Sequence, residues 1–209
     1  MAKLASNRKI AAVKHLAIAD LRLAVIIKSI GACDIKLRKD PFRSLVETII
    51  YQQLAGGAAD AICGRFVKIY GRFPRPSQLL ATKDARLRAA GLSLRKIEYL
   101  KDLATRVSDG RLKLGLLPEM PDEQVIEQLE KVKGIGRWTA EMFLIFCHGR
   151  LDVLPVGDLG LRKAMQKAYS LSELPSPENM HTIAQPWKPF CSIATWYMWK
   201  SLEKFKGIG

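Results

Sequence analysis

The stretch LEKVKGIGRWTAEMFLIFCHGRLDVLPVGDLGLR, Leu129 to Arg162, decides how the rest of the chain is read. Two helical patterns meet at the turn Gly134-Ile135-Gly136. A helix that begins at about Arg137 points its unpaired N–H groups and its positive dipole end out of that turn. Such a helix start is ready to hold an anion such as a phosphate. Asp158 follows in the turn Pro155-Val156-Gly157-Asp158, which opens another helix. A phosphate cradle with one carboxylate close behind it points to nucleic-acid backbone binding joined to chemistry on a nucleotide.

The bulk properties agree. The chain has 209 residues, 48% of them hydrophobic, enough for a full core in one large domain or two small lobes. Its net charge is +14, from 34 Lys+Arg against 20 Asp+Glu. A field of that sign attracts polyanions, nucleic acid first and an anionic membrane surface second. No apolar run approaches the roughly 18 to 20 residues of a membrane span, and the N-terminal MAKLASNRKIAAVKHLAIAD is too interrupted by charge for a signal peptide. Cys33, Cys63, Cys147 and Cys191 form no CxxC and no Cys/His cluster. Reduced cysteines in an intracellular protein are therefore expected, cytoplasmic in a prokaryote and nuclear in a eukaryote.

Taken in order, the chain reads as helices throughout. Residues up to Ala19 form a tail or a first helix. Asp20 starts a short helix that Gly31 ends, and Pro41 opens another with Phe42, Leu45, Val46, Ile49 and Ile50 on one face. Further helices are expected at Ala58 to Tyr70, Ser77 to Leu80, Asp84 to Ala90 and Leu94 to Ser108, then at Glu123 to Lys131 behind an Asp122 cap. Arg137 to Cys147, Leu159 to Tyr169 and a Trp-rich helix from Pro186 to Phe205 complete the set. No alternating pattern competes with these, so the fold class is all-α.

Five blocks, in order, carry a family resemblance: IIYQQLAGGAA (Ile49 to Ala59), GLSLRK (Gly91 to Lys96), KGIGRWTAEMF (Lys133 to Phe143), DVLPVGDLGLRK (Asp152 to Lys163) and WKPFCSIATWYMW (Trp187 to Trp199). Together they resemble the helix-hairpin-helix DNA glycosylase superfamily, in its 3-methyladenine DNA glycosylase II branch. The resemblance implies two helical lobes with the active-site cleft between them. A central lobe of about 45–150 would carry the hairpin at 131–138, and 1–44 with 151–209 would form the other lobe of a single unit. About forty residues precede the first block, too few for the extra N-terminal domain of some members, so a minimal form is expected.

By the same resemblance Asp158 is the catalytic carboxylate. Cleaving an N-glycosidic bond builds positive charge on the sugar, and at about 4 Å with an effective dielectric of about 20 a carboxylate offers about 4 kcal/mol. Asp158 also suits a helix cap, and the two uses are compatible; Asp152, the competing carboxylate, reads as a structural turn or cap residue. Trp138 stands where lyase members hold a Schiff-base lysine, which implies release of the base without strand cleavage. Trp138, Met142 and Trp199 match positions of the base pocket, where a cationic alkylpurine gains about 0.5 to 2 kcal/mol per cation–π contact. Trp187 and Trp196 are left as packing. Gln53 and Leu54 match the plug and wedge that fill the hole left by the flipped nucleotide.

The resemblance also assigns phosphate binding to Lys133, Gly134, Gly136, Arg137 and Trp138, with Arg162 and Lys163 as weaker candidates. The carbonyls of Glu130, Val132 and Ile135 would hold a structural monovalent or divalent cation. No other cofactor is expected, and no iron–sulfur cluster, since Cys191 is the lone C-terminal cysteine. The expected partner is double-stranded DNA containing alkylated bases, with no membrane, bound by a monomer. The reading is a monofunctional glycosylase for 3-methyladenine and 7-methylguanine. A glycosylase for hypoxanthine, ethenoadenine or an oxidised purine, and a hairpin module without catalysis, are the alternatives; a membrane-surface protein rests on charge alone.

Overall fold

Capping side chains start five of the helices named below in the computed structural model, which describes residues 2–54 and 56–205. In chain order the helices are α1 (Ala2–Ala19), α2 (Leu21–Ile30), α3 (Pro41–Tyr51), α4 (Gly56–Lys68), α5 (Pro76–Ala81) and α6 (Asp84–Ala89). They continue as α7 (Leu94–Ser108), α8 (Asp122–Glu130), α9 (Arg137–Phe143), α10 (Leu159–Ala168), α11 (Pro177–Ala184) and α12 (Cys191–Phe205). Among the described residues there is no strand, and no helix is long and apolar enough to cross a membrane.

Side-chain oxygens of Asp20, Asp40, Ser93, Asp158 and Ser176 each accept an N–H from the first turn of the helix that follows, satisfying donors the helix cannot satisfy itself. Three boundaries depart from the sequence reading. Asp122 lies inside α8, whose capping position is Pro121 without a side-chain bond. The helix expected over Arg137 to Cys147 is α-helical only to Phe143 and continues as a π-helical turn, Leu144–His148. The single helix expected from Pro186 to Phe205 is instead a 3₁₀ turn, Gln185–Trp187, followed by α12; Pro189 has no N–H to continue a helix through it, and α11 precedes the turn.

The chain divides into two compact units, Arg38–Phe143, and Met1–Leu37 with Leu144–Gly209. The first division falls at 37/38 and the second at 143/144, where the sequence suggested about 45 and 150. In the first unit α3 buries Phe42, Leu45, Val46, Ile49 and Ile50 against α4, α7 and α9, while α5 packs on α7 and α8 on α9. Each fully buried Leu or Ile contributes about 1.5–3 kcal/mol relative to exposure.

The second unit is built around α12. Its Ile193, Ala194, Tyr197 and Met198 are buried, and the helix packs on α1, α2 and α10. Asp20 ties three segments of this unit together. Its Oδ1 caps α2 through Arg22 N and Leu23 N, at 2.9 and 3.0 Å. Its Oδ2 accepts the indole N–H of fully buried Trp187 at 2.8 Å and the Tyr169 hydroxyl. Burial, reinforced by that carboxylate, pushes the Tyr169 phenol well above its ordinary value.

Candidate active site

Asp158 stands at the head of α10 with its backbone folded into the preceding turn, its N–H donating to Pro155 O at 2.9 Å. Its carbonyl starts the helix by accepting Arg162 N at 3.0 Å. Side-chain Oδ1 accepts Leu161 N at 2.5 Å and the indole Nε1–H of Trp199 at 2.8 Å. One donor is the cap and the other comes from α12, so the carboxylate is held by two elements at once. Charge-assisted bonds of this kind are short and strong. The cap and the candidate catalytic role therefore fall on the same residue, and Trp199 is a carboxylate donor as well as an aromatic wall.

Two residues that the sequence reading did not single out complete this arrangement. Phe146, in the π-helical turn, stacks on Trp199 with ring centroids 5.9 Å apart and planes 21° from parallel. In the sequence it is one apolar residue in an apolar run, with nothing to separate it from core. Gly160 lets α10 approach closely: a Cβ there would lie 3.1 Å from Asp158 Oδ1 and 3.5 Å from the Trp199 ring. Asp152 has the structural role read from the sequence, its Oδ1 accepting Cys191 N at 3.3 Å at the start of α12. Burial, together with this carboxylate, raises the Cys191 thiol far above its ordinary value, so it stays protonated.

The hairpin belongs to the other unit. Gly134 has φ +79°, and a Cβ on it would stand 2.1 Å from the Tyr99 ring, so glycine is required there twice over. Gly136 has ordinary φ, and nothing lies within 4 Å of where its Cβ would be. Its carbonyl accepts Ala140 N at 3.1 Å, starting α9. Trp138, the second residue of α9, is 43% exposed, and Met142 follows four residues later, half-buried. Trp187 and Trp196 are buried, as packing residues should be.

The flanking cations are not solvated singly. Lys133 Nζ meets Glu98 Oε1 at 2.5 Å while its backbone N–H donates to Asp102 Oδ2 at 2.9 Å. Arg137 makes a two-pronged contact with Glu123, at 2.5 and 3.0 Å, and lies 3.3 Å from Glu141. The Arg137 bond holds the Glu123 carboxyl below the usual range. Arg162, a weaker candidate, donates to Pro175 O at 3.1 Å.

Gln53 and Leu54 follow the end of α3 as an exposed tip, with Gln53 at φ +57° and Leu54 38% exposed. The tip is tied to the hairpin through its neighbour, because Gln52 Nε2 donates to Gly134 O at 2.8 Å. Lys96 Nζ closes the same corner by donating to Ile50 O and Gln52 O, at 2.6 and 2.8 Å, which satisfies the last carbonyls of α3. Burial lowers the Lys96 ammonium below its ordinary value. In the sequence Lys96 is an unremarked basic residue on a helix.

Of the cation ligands read from the sequence, Val132 O accepts Ile135 N at 3.1 Å, and Glu130 is the last residue of α8. Among the described residues no three His, Cys, Asp or Glu side chains group as a metal site. The four cysteines form no disulfide.

Residues 46–189 match the family model of the HhH-GPD superfamily base excision DNA repair protein. A DNA-3-methyladenine glycosylase 1 of Schizosaccharomyces pombe is 36% identical over 167 residues, covering 78% of this chain and 73% of that one. The crystal structure of a DNA-3-methyladenine glycosidase from Bacillus halodurans superposes with a TM-score of 0.84 at 39% identity, over 94% of this chain and 91% of that one. A 3-methyladenine DNA glycosylase of S. pombe, solved in complex with abasic DNA, gives a TM-score of 0.83 at 33% identity, over 92% and 97%. With the hairpin and the capped carboxylate in the order that the sequence blocks require, the chain belongs to the HhH-GPD superfamily of base excision DNA repair proteins.

Proposed function

We propose that this protein is a monofunctional DNA glycosylase that excises alkylated purines, 3-methyladenine and 7-methylguanine among them, from duplex DNA. The observation that carries the reading is Asp158, held at Oδ1 by Trp199 Nε1 and Leu161 N in a chain of this family. The relatives named 3-methyladenine glycosylases support the alkylated base as substrate.

The backbone amides that follow Gly136, at the start of α9, grip a phosphate, and Leu54 with Gln53 enters the stack as the target nucleotide leaves it, at a cost of a few kcal/mol. The alkylated base carries positive charge, so it binds an electron-rich indole, Trp199 beside Asp158, and leaves without strong acid assistance. As the glycosidic bond lengthens, positive charge grows on the sugar, and Asp158 stabilises it and orients water. Its carboxylate is already oriented, so little reorganisation is needed as that charge appears. Trp138 has no nucleophile to attack the sugar, so an intact abasic site is the product. The carbonyls of Glu130, Val132 and Ile135 would hold a structural cation; the support is that Glu130 is the last residue of α8, where a helix leaves carbonyl oxygens without intrahelical partners, the hard donors such an ion takes.

The test is release of free bases from methylated duplex DNA by the wild type and by Asp158→Asn, with strand scission scored on the same samples. Release of 3-methyladenine by wild type, a loss of about 10²-fold or more in the variant, and unbroken strands are expected. DNA binding without release of any alkylated base would refute the reading, and strand scission would refute its monofunctional part.

A further inference from the structure

The unit that carries Asp158 also encloses a cavity of about 330 Å³, lined by none of Asp158, Trp199 or Phe146. Its floor is aliphatic, from Ile35, Leu37, Ile145, Leu151 and Ile193. Three cationic residues, Arg8, Lys9 and Arg150, stand in its wall. Among the described residues, no carboxylate and no aromatic ring lines it. The one hydroxyl, Ser192 Oγ, is engaged by Val153 N at 3.0 Å.

The walls are fixed by bonds already in place. Lys9 Nζ donates to Ile35 O at 2.7 Å, which holds α1 to the segment after α2. Ser192 N donates to Leu151 O at 2.9 Å. Gly149, at φ +66°, brings its backbone so near Leu37 that a Cβ there would stand 2.9 Å from Leu37 Cδ1. The volume is at the small end of the range for preformed ligand pockets.

The geometry points to a binding site for a small aliphatic carboxylate, with its tail on the isoleucine and leucine floor and its head toward the cations. A nucleobase is a poor fit, because the lining offers no ring to stack on and too few polar groups to read a base edge. A cationic or neutral amphiphile would forgo the one charge pattern the cavity has. The volume is that of a small molecule, and a bound peptide would need a longer groove.

The probe is decanoate, titrated into the whole protein while backbone amide shifts are followed by NMR, with decylammonium as the opposite-charge control. Saturable shifts centred on Ile145, Gly149, Leu151 and Ile193 are expected, with decylammonium weaker by about tenfold or more. Leu37→Trp fills the cavity from a residue that is 46% exposed and so tolerates the change. Arg8→Glu reverses one charge at an exposed position. Each should weaken decanoate about tenfold or more with the circular dichroism spectrum unchanged. Equal binding of the two amphiphiles, shifts centred elsewhere, or folded variants that bind decanoate like wild type would overturn the site. So would binding of an acidic, aliphatic peptide by a protein that ignores decanoate.

Discussion

Trp199→Phe tests the donor function of the indole. The substitution keeps an aromatic ring beside Phe146, whose centroid lies 5.9 Å from that of Trp199, and removes the N–H that meets Asp158 Oδ1 at 2.8 Å together with the bulk of one fused ring. A hydrogen bond to a charged group is worth about 1.5–3 kcal/mol. If the bond holds Asp158 in the orientation the transition state needs, losing it slows base release by about 10- to 150-fold, at about 1.4 kcal/mol per decade. Leu161 N still caps the carboxylate at 2.5 Å, so the loss should stay short of that in Asp158→Asn. The assay is single-turnover release from methylated duplex, with DNA affinity by anisotropy and stability by thermal melting. Affinity should be unchanged, and stability should fall by no more than about 3 kcal/mol, the upper value of the lost bond. Phe146→Leu keeps the N–H and loses the stack, worth about 0.5–1.5 kcal/mol, so its rate should fall by about 2- to 12-fold. A Trp199→Phe enzyme within twofold of wild type, with affinity intact, would refute the positioning argument and leave the indole as packing.

Three further outcomes are expected. Glu98→Gln releases Lys133 from its carboxylate and Glu123→Gln leaves Arg137 with Glu141 as its remaining ion-pair partner among the described residues, so DNA binding should tighten at low salt and its logarithmic salt slope steepen by up to about 0.9 for each additional phosphate neutralised, most clearly for Glu98→Gln; a fixed slope in anisotropy titrations would place both cations off the DNA path. Burial works to raise the Asp102 carboxyl, but the Lys133 amide and Arg106 guanidinium outweigh it and hold it below its ordinary 3.8. Its contribution is therefore complete above 3.8 and lost as pH falls through the lowered value, so the stability gap between wild type and Asp102→Asn should close on acidification below 3.8, read by urea unfolding. Asp20→Asn keeps the cap oxygen for Arg22 and Leu23 but puts an amide nitrogen where Trp187 needs an acceptor; a buried donor left unpaired costs about 1–3 kcal/mol, seen as a lower urea midpoint at constant m.

Legibility in the sequence followed the range of the interactions. Helix starts marked by Asp20, Pro41, Ser93 and Asp158 were readable because a cap acts within three residues. The hairpin and its carboxylate were readable because glycine spacing and a Pro-Val-Gly-Asp turn are local as well. Asp122 had the right residue type for a cap, yet Pro121 took the capping position, since Pro121 O accepts Val125 N at 3.1 Å and Asp122 is already helical. The π-helical turn left no mark in the apolar run it interrupts. Phe146, Lys96, Gln52 and Asp102 were passed over for one reason: each acts on a partner between 31 and 82 residues away, as in Lys133 to Asp102 and Gln52 to Gly134, or, for Phe146, on a different helix. No local pattern encodes those pairs.

On the function proposed above, the placement of charge around the hairpin bears on how it would hold DNA. Lys133 is matched by Glu98, and Arg137 by Glu123 and Glu141, so the turn's own side chains nearly cancel. The net charge of +14 must therefore draw the polyanion from elsewhere on the surface. At the turn itself, what remains for a phosphate is backbone: the amides at the start of α9, backed by its dipole. The two glycines divide that work. Gly134 is glycine because Tyr99 and a positive φ leave no room for a side chain, so it shapes the turn. Gly136 has room for a side chain and an unstrained φ, so folding alone does not demand glycine there. On the proposed reading, a phosphate approaching the backbone would. A grip made of backbone amides reads phosphate and ignores sequence, which suits an enzyme that must find a damaged base wherever in the duplex it occurs, and it leaves selection to the aromatic residues and the carboxylate.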